Sequence, residues 1–221
     1  MPASANRNES GIAAATMSIA TLADRSLQVT AAGQFTAQGL QSAYPNAFTR
    51  ALKGSSAWNL GIGLRKRLAN VVFASSLQGI ESGLPAPFGK QAAENLPLRV
   101  ERRMLDARQD RLSLALGQTA TAQLLRQADT GALQVRQGTV RFGGAAPEPT
   151  RDGVWVEGEL PYFDLDAWRA LFLAGDGADA GAVPLAGVNF KVAPLDFLGR
   201  RFNRFHLNAS RQGNIWQAAL D

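Results

Sequence analysis

Alternation constrains this chain more than any other feature. Across most of its 221 residues, short runs carry apolar side chains at every second position, with polar or arginine residues between them. A period of two puts successive side chains on opposite faces of a strand, so each run predicts a strand buried on one side only. Leu27, Val29, Ala31 and Phe35 share one side, and Trp58, Leu60, Ile62 and Leu64 repeat the pattern. Leu98 and Val100 stand opposite Arg99, Glu101 and Arg103, and Leu112, Leu114 and Leu116 follow.

The second half continues in the same style. Leu133 and Val135 share a side, whereas Val140 and Phe142 have the opposite parity, and Gly138 between them offers a bulge to absorb the slip. Val154 and Val156, Val188 and Phe190, and Phe205 and Leu207 mark three more strands, and Ile215 to Leu220 a last one. Leu84-Pro85-Ala86-Pro87 interrupts the β pattern, because two prolines so close cannot sit in a central strand. Residues 143–153, with Pro147 and Pro149, read as a long loop, and 175–181 as a loop of small residues.

Helix is scarce. A short piece runs from Ala37 to Tyr44 and stops at Pro45, with a further turn over 46–52. Leu165, Trp168, Leu171 and Phe172 are spaced for one face of a helix over 165–174, and Asp164 stands at its N-cap. So little helix cannot cover ten or so one-faced strands. A sandwich, a barrel, or a curved sheet whose apolar face lines its own concavity remain. Leu and Val dominate that face and large aromatics are few, which leans towards a lined trough. The expected class is mainly β: a curved, largely antiparallel sheet forming a groove or half-barrel, with a few short capping helices. Residues 1–25 read as a flexible lead-in with room for a first strand, and 26–221 as the β segment. A loose echo between 29–35 and 156–160, each followed by a short helix, leaves open two related modules, about 26–145 and 150–221.

Composition removes several functions. With no cysteine and one histidine, His206, thiolate metal sites, disulfides and Cys–His catalysis are unavailable. His206 has the parity of the polar side. Asp164 and Asp166 could pair as carboxylates, but capping accounts for Asp164 more simply. Glu157 and Glu159 read as a solvated face. Gly61-Ile62-Gly63 is a lone G-x-G inside a strand pattern, and a weak phosphate signal. No enzyme, cofactor or metal is expected. The net charge of +5 comes from 19 Arg and 4 Lys against 18 acids. The arginines are spread over alternate strand positions instead of forming a stripe, so nucleic acid is not expected as a partner. Arg65-Lys66-Arg67 forms a basic hairpin tip that could meet phosphate headgroups. No leader or spanning segment is evident, which fits a cytoplasmic protein or an internal piece whose anchor lies elsewhere.

Three stretches carry a family resemblance. They are Ser76–Ile80 with Leu84–Glu94 and Leu96–Val100; Gly153–Pro161 with Leu165–Leu171; and Leu195–Asn203 with Leu207–Gly213. In this order they resemble the periplasmic region of the YhdP family of AsmA-like envelope proteins, from about Ser26 to Asp221. The resemblance implies an internal segment of a longer protein anchored in the inner membrane and lying in the periplasm. It also implies phospholipid transfer between inner and outer membranes along a hydrophobic β-lined groove. Its expected partners are phospholipid acyl chains and neighbouring segments of the same full-length protein. The candidate lining is then the apolar parity of the strands: Leu60, Ile62, Leu64, Leu98, Val100, Leu112, Leu114, Leu116, Leu133, Val135, Val154, Val156, Val188, Phe190, Phe205 and Leu207. The alternative is a structural module of the envelope that pairs through its edge strands and carries no lipid.

Overall fold

The computed structural model describes residues 12–21, 26–65, 68–129, 132–173, 184–213 and 215–221. The expected loop at 175–181, and Lys66 and Arg67 of the basic tip, lie outside the described residues. The described residues are mainly β with three short helices, as the alternation predicts. Its contacts divide it into two compact units, Met1–Leu84 with Gly89–Leu116, and Pro85–Phe88 with Gly117–Asp221. The division falls after Leu116, ahead of the 143–153 loop.

In the first unit the elements are β1 (Ile12–Thr21), β2 (Leu27–Thr36), α1 (Ala37–Ala43), α2 (Ala47–Arg50), β3 (Leu52–Arg65), β4 (Leu68–Ser75), β5 (Ile80–Ser82), β6 (Leu98–Met104) and β7 (Gln109–Leu116). The ladder runs β1-β2-β3-β4-β6-β7, antiparallel throughout, with β5 paired to the start of β3. Thr36 caps α1 by accepting from the Gly39 amide at 3.0 Å, and Pro45 prevents its continuation. Asn46 and Thr49 form a reciprocal capping box on α2.

The loop after β5 is organised by one lysine. Lys90 is buried, and its Nζ donates to the carbonyls of Leu77 at 2.9 Å, Gln91 at 3.0 Å and Ile80. Burial pushes its pKa down, although Glu94 nearby acts in the opposite direction.

In the second unit the elements are β8 (Ala120–Asp129), β9 (Ala132–Phe142), β10 (Gly153–Leu160), β11 (Phe163–Asp164), α3 (Leu165–Leu173), β12 (Leu185–Val192), β13 (Leu195–Phe197), β14 (Arg200–Phe202), β15 (Phe205–Gln212) and β16 (Ile215–Leu220). The main ladder runs β8-β9-β10-β12-β15-β16, and β11-β13-β14 form a small separate sheet. Here the pairing departs from expectation, because β10 lies parallel to both β9 and β12. A parallel pair needs a crossover, and the 143–152 loop supplies the first one by returning the chain to the start of β10. Gly158 on β10 has φ +121°, and a Cβ there would stand 2.1 Å from the Phe142 carbonyl oxygen, so the parallel ladder requires glycine at this position.

Gly138 does not make the bulge. The register slips between the pairs Leu125–Gln137 and Arg126–Val135, which leaves Arg136 as the extra residue. That slip brings Leu133, Val135, Val140 and Phe142 to one face. Gly138 instead makes room, since a Cβ there would meet Leu124 Cδ2 at 2.6 Å and Val154 Cγ2 at 3.1 Å.

Candidate functional site: apolar rows across the ladders

Side chains of paired residues point to the same side of a sheet, so register converts parity into a surface. In the first unit, successive partners read Met17, Ala31, Leu60, Phe73, Val100, Leu114. Its neighbour reads Ile19, Val29, Ile62, Val71, Arg102, Leu112. Leu64, Leu98 and Leu116 occupy the same face in flanking rows. All eight lining candidates of this unit therefore share one side. None is buried: Leu64 is 40% exposed and the other seven are half-buried. Among the described residues, the unit's buried side chains lie at its α1 and Lys90 end or are polar, as with Ser56, Ser75 and Asp110.

Two features of this face depart from the sequence reading. Large aromatics do occur on it, with Trp58 and Phe73 stacked at 6.3 Å between ring centroids. It also carries charge. Arg102 Nε donates to Asp110 Oδ2 at 2.5 Å, with the carboxylate buried and the guanidinium partly exposed. The even parity of Arg102 with Leu98 and Val100 was the available signal, hidden within a run of arginines.

The second unit has an equivalent row: Ala122, Val140, Val156, Val188, Ala209, Ala218. A second reads Ala120, Phe142, Gly158, Phe190, Leu207, Leu220. Leu133, Val135, Val154 and Phe205 join them, so the eight candidates of this unit also share a face. Their exposure differs. Leu133 is 39% exposed, and Val135, Val156, Val188, Phe190, Phe205 and Leu207 are half-buried. Val154, at 2%, is closed in and offers no surface to a ligand.

One end of this face is roofed by α3 and the 85–88 loop. Trp168 is buried, stacks on Phe163 at 6.2 Å and meets Phe88 edge-on at 5.7 Å. Phe142 and Phe190 extend the cluster at 5.4 Å, which again departs from the expected scarcity of aromatics. The indole N–H donates to the Ala86 carbonyl at 2.9 Å. Leu160 and Val192 are buried in this part of the unit.

The carboxylates that sequence reading weighed as a pair serve this roof. Asp164 Oδ1 accepts from the Ala167 amide at 2.8 Å, as an N-cap does. Asp166 accepts from the amides of Leu198 and Gly199, each at 2.9 Å, at the β13–β14 turn where both residues have positive φ. Those amide bonds hold the Asp166 carboxyl below its usual pKa. Asp196 takes two bonds from Arg201 at 2.7 Å and one from the Tyr162 hydroxyl at 2.9 Å. The Arg201 guanidinium, with Tyr162 helping, lowers the Asp196 pKa to about 2. His206 lies on the polar face, with Nε2 2.9 Å from Asn189 Oδ1, and Glu157 accepts from Arg141 at 3.2 Å. No group of three metal-ligating side chains is present among the described residues, and no helix there is long and apolar enough to cross a membrane.

A family model described as YhdP protein matches residues 11–221, nearly the whole chain. The chain belongs to the YhdP family. No curated protein and no solved structure matches it. The strings by which it resembles the YhdP family are largely scaffold. Leu84–Lys90 supplies Ala86, Phe88 and the buried lysine, Leu165–Leu171 supplies the roofing helix, and Leu195–Asn203 supplies the hairpin clamped by Asp166 and Arg201.

Proposed function

We propose that this chain is a segment of a periplasmic, envelope-spanning protein that moves phospholipid between the inner and outer membranes, and that its apolar rows carry the acyl chains. One observation supports the reading above others: six-strand apolar rows whose side chains remain half-buried or exposed in their own unit. Six strands about 4.8 Å apart span about 24 Å, longer than the ~15 Å of one leaflet of a ~30 Å hydrocarbon core. A chain lying along such a row gains about 0.8 kcal/mol per methylene taken from water. Apart from the Arg102–Asp110 pair, neighbouring rows present similar apolar chemistry, so moving between them away from that pair changes the energy little. The polar headgroup stays in water while the tail slides. Anchorage in the inner membrane, and contact with neighbouring segments of the full-length protein, belong to the same proposal.

Extraction and mass spectrometry of lipid co-purified with the chain test it. Wild type retains acyl lipid, Leu114→Asp loses it, and Ser113→Asp, one position away on the opposite face, keeps it. Equal retention by the two variants, or no lipid in wild type, would contradict the reading.

A second reading has its own support. The edge strands expose large apolar residues, with Met17 and Ile19 on β1 at 65% and 61% and Trp216 and Leu220 on β16 at 44% and 65%. An exposed edge of this kind is a template for strand pairing. Concentration-dependent association without bound lipid favours an interaction module of the envelope.

A further inference from the structure

A charged pair interrupts the apolar face of the first unit. Among the described residues of the two rows that cross it from β1 to β7, Arg102 is the one charged side chain, standing between Val71 and Leu112. Met104 pairs with Asp110, so Asp110 lies one row nearer the β6–β7 turn on the same face. The carboxylate is 1% exposed and the arginine side chain 41%. Taking such a pair out of water is expensive, and apolar side chains of similar volume often serve stability as well or better. Packing alone gives little reason for it.

Geometry supplies a reason. Asp110 Oδ2 accepts from Arg102 Nε, which engages one guanidinium donor and fixes the direction of the side chain. The exposure of that side chain leaves its Nη donors within reach of an acceptor outside the fold. Forked donors of this kind match phosphate oxygens. From Arg102 the row runs over Val71, Ile62 and Val29 to Ile19, all apolar. Those strand spacings sum to about 19 Å, enough for the ~15 Å of one leaflet's acyl layer. A row with a charged donor at one end and an apolar remainder has the polarity of an amphiphile.

We infer that Arg102, positioned by Asp110, takes the phosphate group of an acyl lipid and so sets where along the row the tail begins. The inference rests on the lipid reading above and adds to it a preference for phosphate-bearing amphiphiles. The same donors would serve a free phosphate, and the experiment separates the two sources.

The test is titration of the purified chain, followed by backbone amide and arginine Nε chemical shifts. The probes are lauroyl lysophosphatidylglycerol and monolauroylglycerol, each below its micelle concentration, and inorganic phosphate. The two amphiphiles share a tail and differ in the phosphate. Both are expected to shift the amides of Leu60, Val100 and Leu114, and the phospholipid alone to shift Arg102 Nε. Wild type favours the phospholipid by about tenfold or more, as one charged hydrogen bond does. Arg102→Gln abolishes that preference and keeps the tail, whereas Arg103→Gln, the same loss of charge on the opposite face, retains the preference. Because Arg102→Gln leaves Asp110 buried without its arginine, the double variant Arg102→Met with Asp110→Leu repeats the comparison with no charge left in the pair.

If neither amphiphile shifts the apolar face, the lipid reading fails and takes the inference with it. If both bind equally to wild type, or the preference survives in a folded Arg102→Gln or double variant, the lipid reading stands and the inference is overturned. Inorganic phosphate bound at Arg102 as tightly as the phospholipid assigns the donors to free phosphate and overturns it too.

Discussion

The Trp168 indole N–H donates to the carbonyl of Ala86, 2.9 Å away and 82 positions earlier in the sequence. Ala86 stands between the two prolines of the Leu-Pro-Ala-Pro string, where neither flanking proline has an amide of its own to offer. Phe88, two residues on, meets the same ring edge-on. The string is therefore a receptor for α3, and the buried tryptophan is what α3 contributes to the second unit.

Trp168→Ala removes the largest buried side chain of that roof and is expected to cost about 3–5 kcal/mol. Trp168→Phe keeps much of the packing but leaves the Ala86 carbonyl without its donor, at a cost nearer 1–3 kcal/mol. Urea unfolding of the two variants against wild type measures both. A tryptophan-to-alanine cost below about 1 kcal/mol would contradict the packing role.

The β13–β14 clamp is expected to loosen in acid. The folded pKa of Asp196 is about 2, depressed from an ordinary 3.8. A depressed carboxyl binds fewer protons in the folded state, so its stabilising contribution is present above about pH 4 and fades as pH falls towards 2. Hydrogen exchange of the Leu198 and Gly199 amides against pH reads this, because Asp166, depressed in the same direction, accepts from both. Protection falls across that acid range in wild type. Asp196→Asn has lower protection already at neutral pH and a flatter profile.

Lys90→Met keeps the apolar stem and removes the ammonium. The carbonyls of Leu77, Ile80 and Gln91 then lose a shared donor in a buried setting. Leaving buried carbonyls unpaired costs about 1–3 kcal/mol, read as a lower unfolding midpoint for the first unit. An unchanged midpoint would show that water replaces the lysine at no cost.

The parity of Leu60, Ile62, Leu64, Leu112, Leu114 and Leu116 was legible in the sequence because half-buried strands alternate whatever their neighbours do. Register was not. Nothing local to Met17 says that Ala31 and Leu60 continue its row. Parallel pairing around β10 was equally hidden, since Val154 and Val156 alternate in the same way beside a parallel or an antiparallel partner. Gly138 suggested a bulge because glycine permits one, yet the decisive constraint came from Leu124 and Val154, whose side chains stand where a Cβ would go. The burial of Val154 and the aromatic cluster around Trp168 depend on residues distant in sequence. No window of local composition contains them.

The central claim is that the apolar rows, not the polar face, hold acyl chains. Its most direct measurement is site-specific photocrosslinking, with a benzophenone amino acid placed in turn at Leu60, Val100 and Leu114 and at their opposite-face neighbours Asn59, Arg99 and Ser113. The account predicts acyl-lipid adducts at the first three positions and none at the second three. Adducts of equal yield on both faces, or only at Asn59, Arg99 and Ser113, would contradict it.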